Sequence, residues 1–279
     1  MKKIKIVVGA TASGKSRFAM EYCTKYNGEI VSCDSMQIYQ GLDIGTAKPS
    51  KLDMQQVRHH CIDIAHPNQA FSVAEWQKYA DTAIEEIVAR NKMPVVVGGT
   101  GLFFKALLYQ HNFVATDSRV QSALQLQLKQ FGSQHMHDEL SKIDSVSAKE
   151  LNPNDTKRVL RALEIYLISG KPKSHYKIEI PQKRYNFEKI EIKVERESLY
   201  TRIEQRVDEM MASGLLQEVD SLKQYRDCQS MQGLGYKQLI EYLDGKINLD
   251  DSIALIKKCT RNYAKRQLTY FRNFDKYTS

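Results

Sequence analysis

The chain has 279 residues, 42% hydrophobic and 27% charged, the balance of a soluble protein able to bury a sizeable core. No apolar run is long enough to span a bilayer, and Met1-Lys2-Lys3 lead straight into an apolar strand with no room for a secretory leader, so the expectation is a cytoplasmic protein with no membrane partner. A formal net charge of +8 favours a polyanionic partner, nucleic acid first, and five scattered cysteines without a C-x-x-C pair speak for reduced thiols rather than a disulfide framework.

The first predicted element is a strand over Ile4–Val8, followed by a loop and a helix over Arg17–Lys25. A short strand follows at Glu29–Cys33, then a helical pattern over Val73–Arg90 and a β-branched run, Pro94–Val97, typical of a strand buried on both faces. This alternation predicts a parallel sheet with helical crossovers. From Asp117 the pattern turns helical and polar, with helices expected over Ser118–Gly132 and Asp155–Ser169, the second closed by Gly170. Period-two alternation over Lys189–Val194 returns to strand. Helices are then expected over Ser198–Ser213, Leu216–Tyr225, Tyr236–Asp244 and Asp250–Phe274. The reading is an α/β core, residues 1–116 and 187–279, interrupted by a mostly helical insertion over 117–186 and ending in helices.

The loop after the first strand is Gly9-Ala10-Thr11-Ala12-Ser13-Gly14-Lys15-Ser16, the G-x-x-x-x-G-K-[ST] pattern in the strand–loop–helix setting it needs. Its glycines let backbone amides wrap an oxyanion at a helix start, Lys15 adds a cation, and the Ser16 hydroxyl can reach a magnesium ion. The pattern implies a bound diphosphate or longer phosphate chain. In parallel α/β sheets ligands collect at the carboxyl ends of the strands. The second strand ends in Asp34-Ser35-Met36-Gln37 and the third in Gly98-Gly99-Thr100-Gly101, which places Asp34 and Thr100 near those phosphates. Asp34 could hold magnesium, act as a general base, or cap the following turn. Thr100 offers a hydroxyl, or belongs to a simple tight turn. His59-His60-Cys61 looks metal-like, but adjacent residues point apart and no second ligand pair follows.

Two segments concentrate basic charge. Lys157, Arg158 and Arg161 lie within about one turn of a helix, and the last helix carries Lys257, Lys258, Arg261, Lys265, Arg266 and Arg272. Lys257, Arg261 and Lys265 recur every four residues, with Tyr263, Tyr270 and Phe271 interleaved, a pattern of nucleic-acid binders or of a solvated basic face.

The blocks running from Asp34 to Pro49, His59 to Asp63, Val97 to Leu108, Asn152 to Glu164, Gly233 to Gln238 and Lys265 to Arg272 together resemble bacterial tRNA dimethylallyltransferases, in the same order and over nearly the whole chain. The resemblance implies a P-loop NTPase-like core in which Gly9 to Ser16 hold the diphosphate of dimethylallyl diphosphate with Mg²⁺ on Ser16, and the charge building on that leaving group calls for arginines, with Arg158, Arg161, Arg202 and Arg206 as the candidates. It implies that Asp34 takes the proton of an adenine amine beside the anticodon, that Thr100 sits near the breaking carbon–oxygen bond, and that Lys15 serves the leaving group. It also implies tRNA contacts from Asp34, Ser35, Met36, Gln37, Thr100, Gln121, Lys157, Arg158, Val159, Leu160, Arg161, Gly233, Gly235, Tyr236, Lys237, Lys265, Arg266 and Arg272, in a monomeric enzyme. Position 10 is Ala where the family usually has Pro, and Gln121 stands where some relatives carry Arg. Three other readings compete: an adenylate prenyltransferase using free nucleotide, a small-molecule kinase, and a non-catalytic RNA-binding module.

Overall fold

The computed structural model describes residues 1–177 and 182–274. The chain opens with β1 (Lys3–Val8), α1 (Lys15–Tyr26) and β2 (Gly28–Cys33), continues through α2 (Lys51–Gln56), β3 (His59–His60) and α3 (Val73–Ala89), and reaches β4 (Met93–Gly98) and α4 (Gly101–Leu108). Then come α5 (Ser118–Ile143), α6 (Ser145–Glu150) and α7 (Thr156–Ser169), followed by β5 (Asn186–Glu191) and α8 (Arg196–Ala212). The last helices are α9 (Leu215–Ser221), α10 (Tyr236–Leu243) and α11 (Leu249–Phe274).

The five strands form one parallel sheet in the order β3-β2-β4-β1-β5. With the phosphate loop between β1 and α1, this is the P-loop NTPase-like α/β arrangement that the sequence predicts. The central strands are apolar because both faces are covered: Ile4, Ile6, Val7, Val8, Val31, Val95 and Val96 are fully buried. On one face Trp76 of α3 stacks on Phe103 of α4 at 4.5 Å and donates its indole N–H to the Ser32 carbonyl at 3.1 Å, so its one polar atom is satisfied in the core. Ser72 and Glu75 form a reciprocal capping box that starts α3.

The chain divides into two compact units, Met1–Gln110 with Gln182–Ser279, and His111–Pro181. In the second unit, Leu124, Met136, Leu140, Val159, Leu160 and Leu163 make a separate small core. Asp117 caps α5, Asp155 caps α7, and Gly170 closes α7 in the left-handed conformation at φ 69°.

Several elements differ from the sequence expectation. The helical stretch begun at Ser118 resumes after a non-helical Gly132 and runs to Ile143. The strand expected over 189–194 is Asn186–Glu191, because its bounds follow the register with β1, from Lys3↔Asn186 to Val8↔Glu191, rather than its own alternation. The helix expected over 216–225 ends at Ser221 and gives way to a 3₁₀ turn at Lys223–Tyr225. β3, α2 and α6 are too short to carry a hydrophobic period, and α4 is too uniformly apolar to show one.

Candidate active site

The loops that leave β1, β2 and β4 at their carboxyl ends face a cavity of about 530 Å³ within the first unit. Its wall includes Lys15 and Ser16 from the phosphate loop, Asp34 from the end of β2, Arg206 from α8, Gly233 to Tyr236 ahead of and at the start of α10, and Tyr263, Arg266 and Gln267 from α11. The sequence-predicted residues Lys15, Asp34 and Arg206 therefore share one chamber, although Arg206 lies 172 residues beyond Asp34 in the chain.

Gly14 sits at φ 91°, a conformation costly for any side chain but easy for glycine, and this lets the loop turn into α1. The Lys15 ammonium donates to the Ala10 carbonyl at 3.3 Å. Burial and then the positive charge of Arg206 pull the Lys15 pKa down to about 8, against a smaller opposing pull from Asp34. The same burial lowers Arg206, while Asp34 and Glu209 favour its charged form. Two of the loop's amides are already engaged within the protein: the Ser13 N–H donates to the Ala10 carbonyl at 3.2 Å and the Thr11 N–H to Gln267 Oε1 at 2.7 Å. The buried Ser13 hydroxyl has no hydrogen-bond partner among the described residues.

The structure shows the capping role of Asp34 directly. Its Oδ1 accepts the N–H of Met36 at 2.8 Å and of Gln37 at 3.4 Å, so it caps the turn that follows β2, and its carboxylate is nevertheless in the cavity wall. Thr100 Oγ1 accepts the Ser35 N–H at 3.1 Å. The Gln37 side chain is spent on the protein: its Oε1 accepts from Ser32 Oγ and its Nε2 donates to the carbonyls of Thr46 and Ala47. Lys48 anchors the same loop through the Tyr39 carbonyl at 2.7 Å and the carboxylates of Asp43 and Asp63. Glu218 of α9 accepts from the N–H groups of Asp43, Ile44 and Gly45 and from the Tyr236 hydroxyl. Burial and that carboxylate push the Tyr236 phenol well above its usual range, so Tyr236 is a buried support of the cavity wall. The Gly235 N–H donates to Gln238 Oε1 where α10 begins, and Lys237 is exposed.

In the second unit Lys157 and Arg158 are exposed, Arg158 beside Asp155 at 3.4 Å. The expectation for their neighbours needs correcting. Val159 and Leu160 are 1% and 6% exposed and pack in that unit's core, so their side chains serve packing and not an RNA surface. Arg161 donates to the Val114 and Ala115 carbonyls and to Glu164, and Gln121 Nε2 donates to the same buried Glu164 at 3.0 Å. Both side chains are tied into the unit's own hydrogen-bond network.

The basic stripe on α11 is also divided. Lys257 pairs with Asp208 at 2.7 Å and Arg261 with Glu204 at 2.6 Å, both on α8, and the Lys265 ammonium lies 5.9 Å from the centre of the Tyr200 ring. Lys265, Arg266 and Arg272 are exposed. Sequence alone marks Tyr263 only as an aromatic interleaved with the basic stripe and does not mark Gln267, because helical periodicity is silent on which face meets a loop far away in the chain. Burial and then the Asp34 charge push the Tyr263 phenol up to about 12.

Comparison with known proteins agrees with this geometry. The sequence profile described as IPP transferase matches residues 37–274. The chain is 43% identical over 285 residues to a tRNA dimethylallyltransferase of Thermoanaerobacter sp. (strain X514), covering 98% of this chain and 90% of that one, and 45% identical over 273 residues to the tRNA dimethylallyltransferase of Bacillus subtilis (strain 168), covering 96% and 87%. Among solved structures it resembles the tRNA isopentenylpyrophosphate transferase of Staphylococcus epidermidis, with TM-score 0.71, 41% identity and coverage of 98% and 91%. It also resembles a eukaryotic dimethylallyltransferase captured acting on tRNA, with TM-score 0.81, 29% identity and coverage of 97% and 70%. The chain belongs to the IPP transferase family.

Proposed function

We propose that this protein is a tRNA dimethylallyltransferase that moves a dimethylallyl group from dimethylallyl diphosphate to the exocyclic amine of the adenine on the 3′ side of the anticodon. The observation that carries the residue assignment is the single chamber holding Lys15, Arg206 and Asp34: two cations for a departing diphosphate and one carboxylate for an incoming amine. The amine nitrogen forms a bond to the allylic carbon as the carbon–oxygen bond breaks, diphosphate leaves with the electron pair, and Asp34 accepts the amine proton. Since Asp34 Oδ1 holds the turn, Oδ2 is the oxygen assigned to that proton.

An adenine amine is a weak nucleophile, so the barrier falls chiefly through stabilisation of the leaving group. Lys15 and Arg206, both partly desolvated, meet the growing charge, and the amides at the α1 N-terminus add their dipoles. A magnesium ion fits the chemistry of Ser16, whose hydroxyl is a hard oxygen donor exposed at the loop. Among the described residues no three His, Cys, Asp or Glu side chains cluster, so Ser16 and the diphosphate oxygens themselves would hold it. When bound, the ion would neutralise leaving-group charge. Gln37, Gly233, Gly235 and Tyr236 shape the chamber for the base, while Lys237, Lys265, Arg266, Arg272, Lys157 and Arg158 are the exposed groups assigned to the tRNA. With no helix of the described residues long and apolar enough to cross a membrane, action on tRNA in the cytoplasm is the setting assigned.

The test is transfer of labelled dimethylallyl groups to unmodified tRNA carrying an adenine beside the anticodon, run beside AMP. Label in tRNA with equimolar diphosphate release is the expected result. Preference for AMP would make the protein a free-nucleotide prenyltransferase, and ADP formation would make it a kinase.

A further inference from the structure

We propose that Gln267 is a positioning residue that locks the phosphate loop to the end of β4, so that the leaving-group side and the amine side of the chamber keep a fixed separation. The inference rests on the transfer reaction above.

Gln267 lies on α11 and is 5% exposed. Its Oε1 accepts the Thr11 N–H at 2.7 Å and its Nε2 donates to the Gly99 carbonyl at 3.0 Å. β1 and β4 pair in parallel up to Val8↔Gly98, where the ladder stops and the two functional loops begin. A glutamine amide sets a carbonyl acceptor beside an NH₂ donor group in one plane, much as a peptide unit sets C=O beside N–H, so Gln267 adds one further rung between loops that have left the sheet. Leucine offers neither group, and a carboxylate offers only the acceptor. The fit is close: a Cβ on Gly99 would stand 2.1 Å from Gln267 Nε2, which explains glycine at that position.

The neighbouring residues on the same helix face extend the grip. Tyr263, one turn before Gln267, lines the same chamber, and the Tyr270 hydroxyl donates to the Gly101 carbonyl at 2.9 Å. Thr100 accepts the Ser35 N–H next to Asp34. Gln267 is thus the member of this face that reaches both loops, Thr11 toward Lys15 and Gly99 toward Asp34.

The experiment measures steady-state transfer, tRNA affinity and melting temperature for the parent protein, Gln267→Leu and Gln267→Glu. For Gln267→Leu the expected result is a fall in kcat of about a hundredfold, the scale of a small misplacement at a reacting centre, with tRNA affinity within about threefold of the parent. Gln267→Glu carries the distinguishing readout. Its ionised carboxylate accepts from Thr11 but repels the Gly99 carbonyl; its protonated form restores both bonds. The titratable and charged groups that line the same chamber are Tyr263 and Arg266 on α11, Lys15 on the phosphate loop, Asp34 at the end of β2, Arg206 on α8 and Tyr236 on α10. Its activity relative to the parent should rise as pH is lowered, while the ratio for Gln267→Leu stays flat. A folded variant with parental kcat, or a Gln267→Glu ratio that stays flat with pH, overturns the proposal while the function stands. Absence of transfer by the parent overturns both.

Discussion

The hydroxyl of Thr100 accepts the backbone N–H of Ser35 at 3.1 Å, so the end of β4 holds the turn that Asp34 begins. In the proposed reaction Asp34 has two separable duties, one oxygen for the turn and the carboxylate charge for the proton. Asparagine retains an oxygen that can accept from Met36 but cannot take a proton at neutral pH. Asp34→Asn is therefore expected to slow the chemical step by about a hundredfold or more with tRNA affinity largely kept. Asp34→Ala, which also frees the Met36 N–H, should lose tRNA affinity as well. Single-turnover rates with a tRNA filter-binding assay separate the two; equal effects of both variants on binding would remove the turn from the explanation.

In the proposed reaction Lys15 predicts a pH limb of definite sign. Burial and Arg206 hold its pKa down to about 8, so its charge is present below that value and is lost as pH rises through it. A bound diphosphate favours the charged form, which means donor binding weakens above about pH 8 and KM for dimethylallyl diphosphate climbs. Lys15→Ala should lower kcat/KM by about a hundredfold or more, the usual scale for removing a leaving-group donor, and should erase this limb. A KM profile unchanged by the substitution would assign the limb to another group.

The phosphate loop and Asp34 are legible in the sequence because their chemistry is written in contiguous residues: Gly9 to Ser16 needs only the strand before it and the helix after it. Arg206 is reached only as one of several arginines open to the leaving group, since no local pattern in α8 distinguishes it from Arg202. Gln267 and Glu218 escape a sequence reading because their meaning lies in partners far along the chain, Thr11 and Gly99 for one and residues 43–45 for the other. The Lys257-Arg261-Lys265 periodicity does mark one helix face, but periodicity is silent on whether a face meets solvent or an acidic neighbour, and here α8 supplies Asp208 and Glu204. Strand limits such as those of β5 depend on the partner's register, which no single segment records.

That division of the basic stripe separates two phenotypes. Lys265, Arg266 and Arg272 are exposed, and changing them to glutamine should weaken tRNA binding and reduce the slope of log affinity against log salt, by about 0.7 for each phosphate of a single-stranded loop that is no longer neutralised. Lys257→Gln with Arg261→Gln removes two partly exposed ion pairs between α11 and α8, worth about 0 to 1 kcal/mol each, and should lower melting temperature slightly while leaving the salt slope in place. A flattened salt slope from the second pair would return those residues to the RNA surface.

Glu29 gives the fold an acid-sensitive brace. Its side chain is 2% exposed in β2 and meets His60 at 2.7 Å, Arg90 at 2.8 Å and Lys92 at 3.1 Å, so it ties β3 and the end of α3 to the sheet. Burial alone would raise its pKa, but the hydrogen bonds from Arg90, His60 and Lys92 together outweigh it and pull the carboxyl down from 4.5 to about 2. The folded pKa is the lower one, so the stabilisation is complete above the unfolded value near 4.5 and is lost as pH falls toward about 2. The shift corresponds to about 3 kcal/mol at neutral pH on the scale of about 1.4 kcal/mol per unit. Glu29→Gln removes the charge from a buried site and takes from Arg90 and Lys92 their buried counter-ion, leaving Arg90 only Glu86 at 3.7 Å, so it should cost a similar amount at neutral pH. In urea melts the gap between parent and Glu29→Gln should narrow as the solution is acidified below about 4.5, because the parent then loses what the variant never had. A gap that stays constant through that window would mean the loss comes from packing around Glu29 and not from its charge.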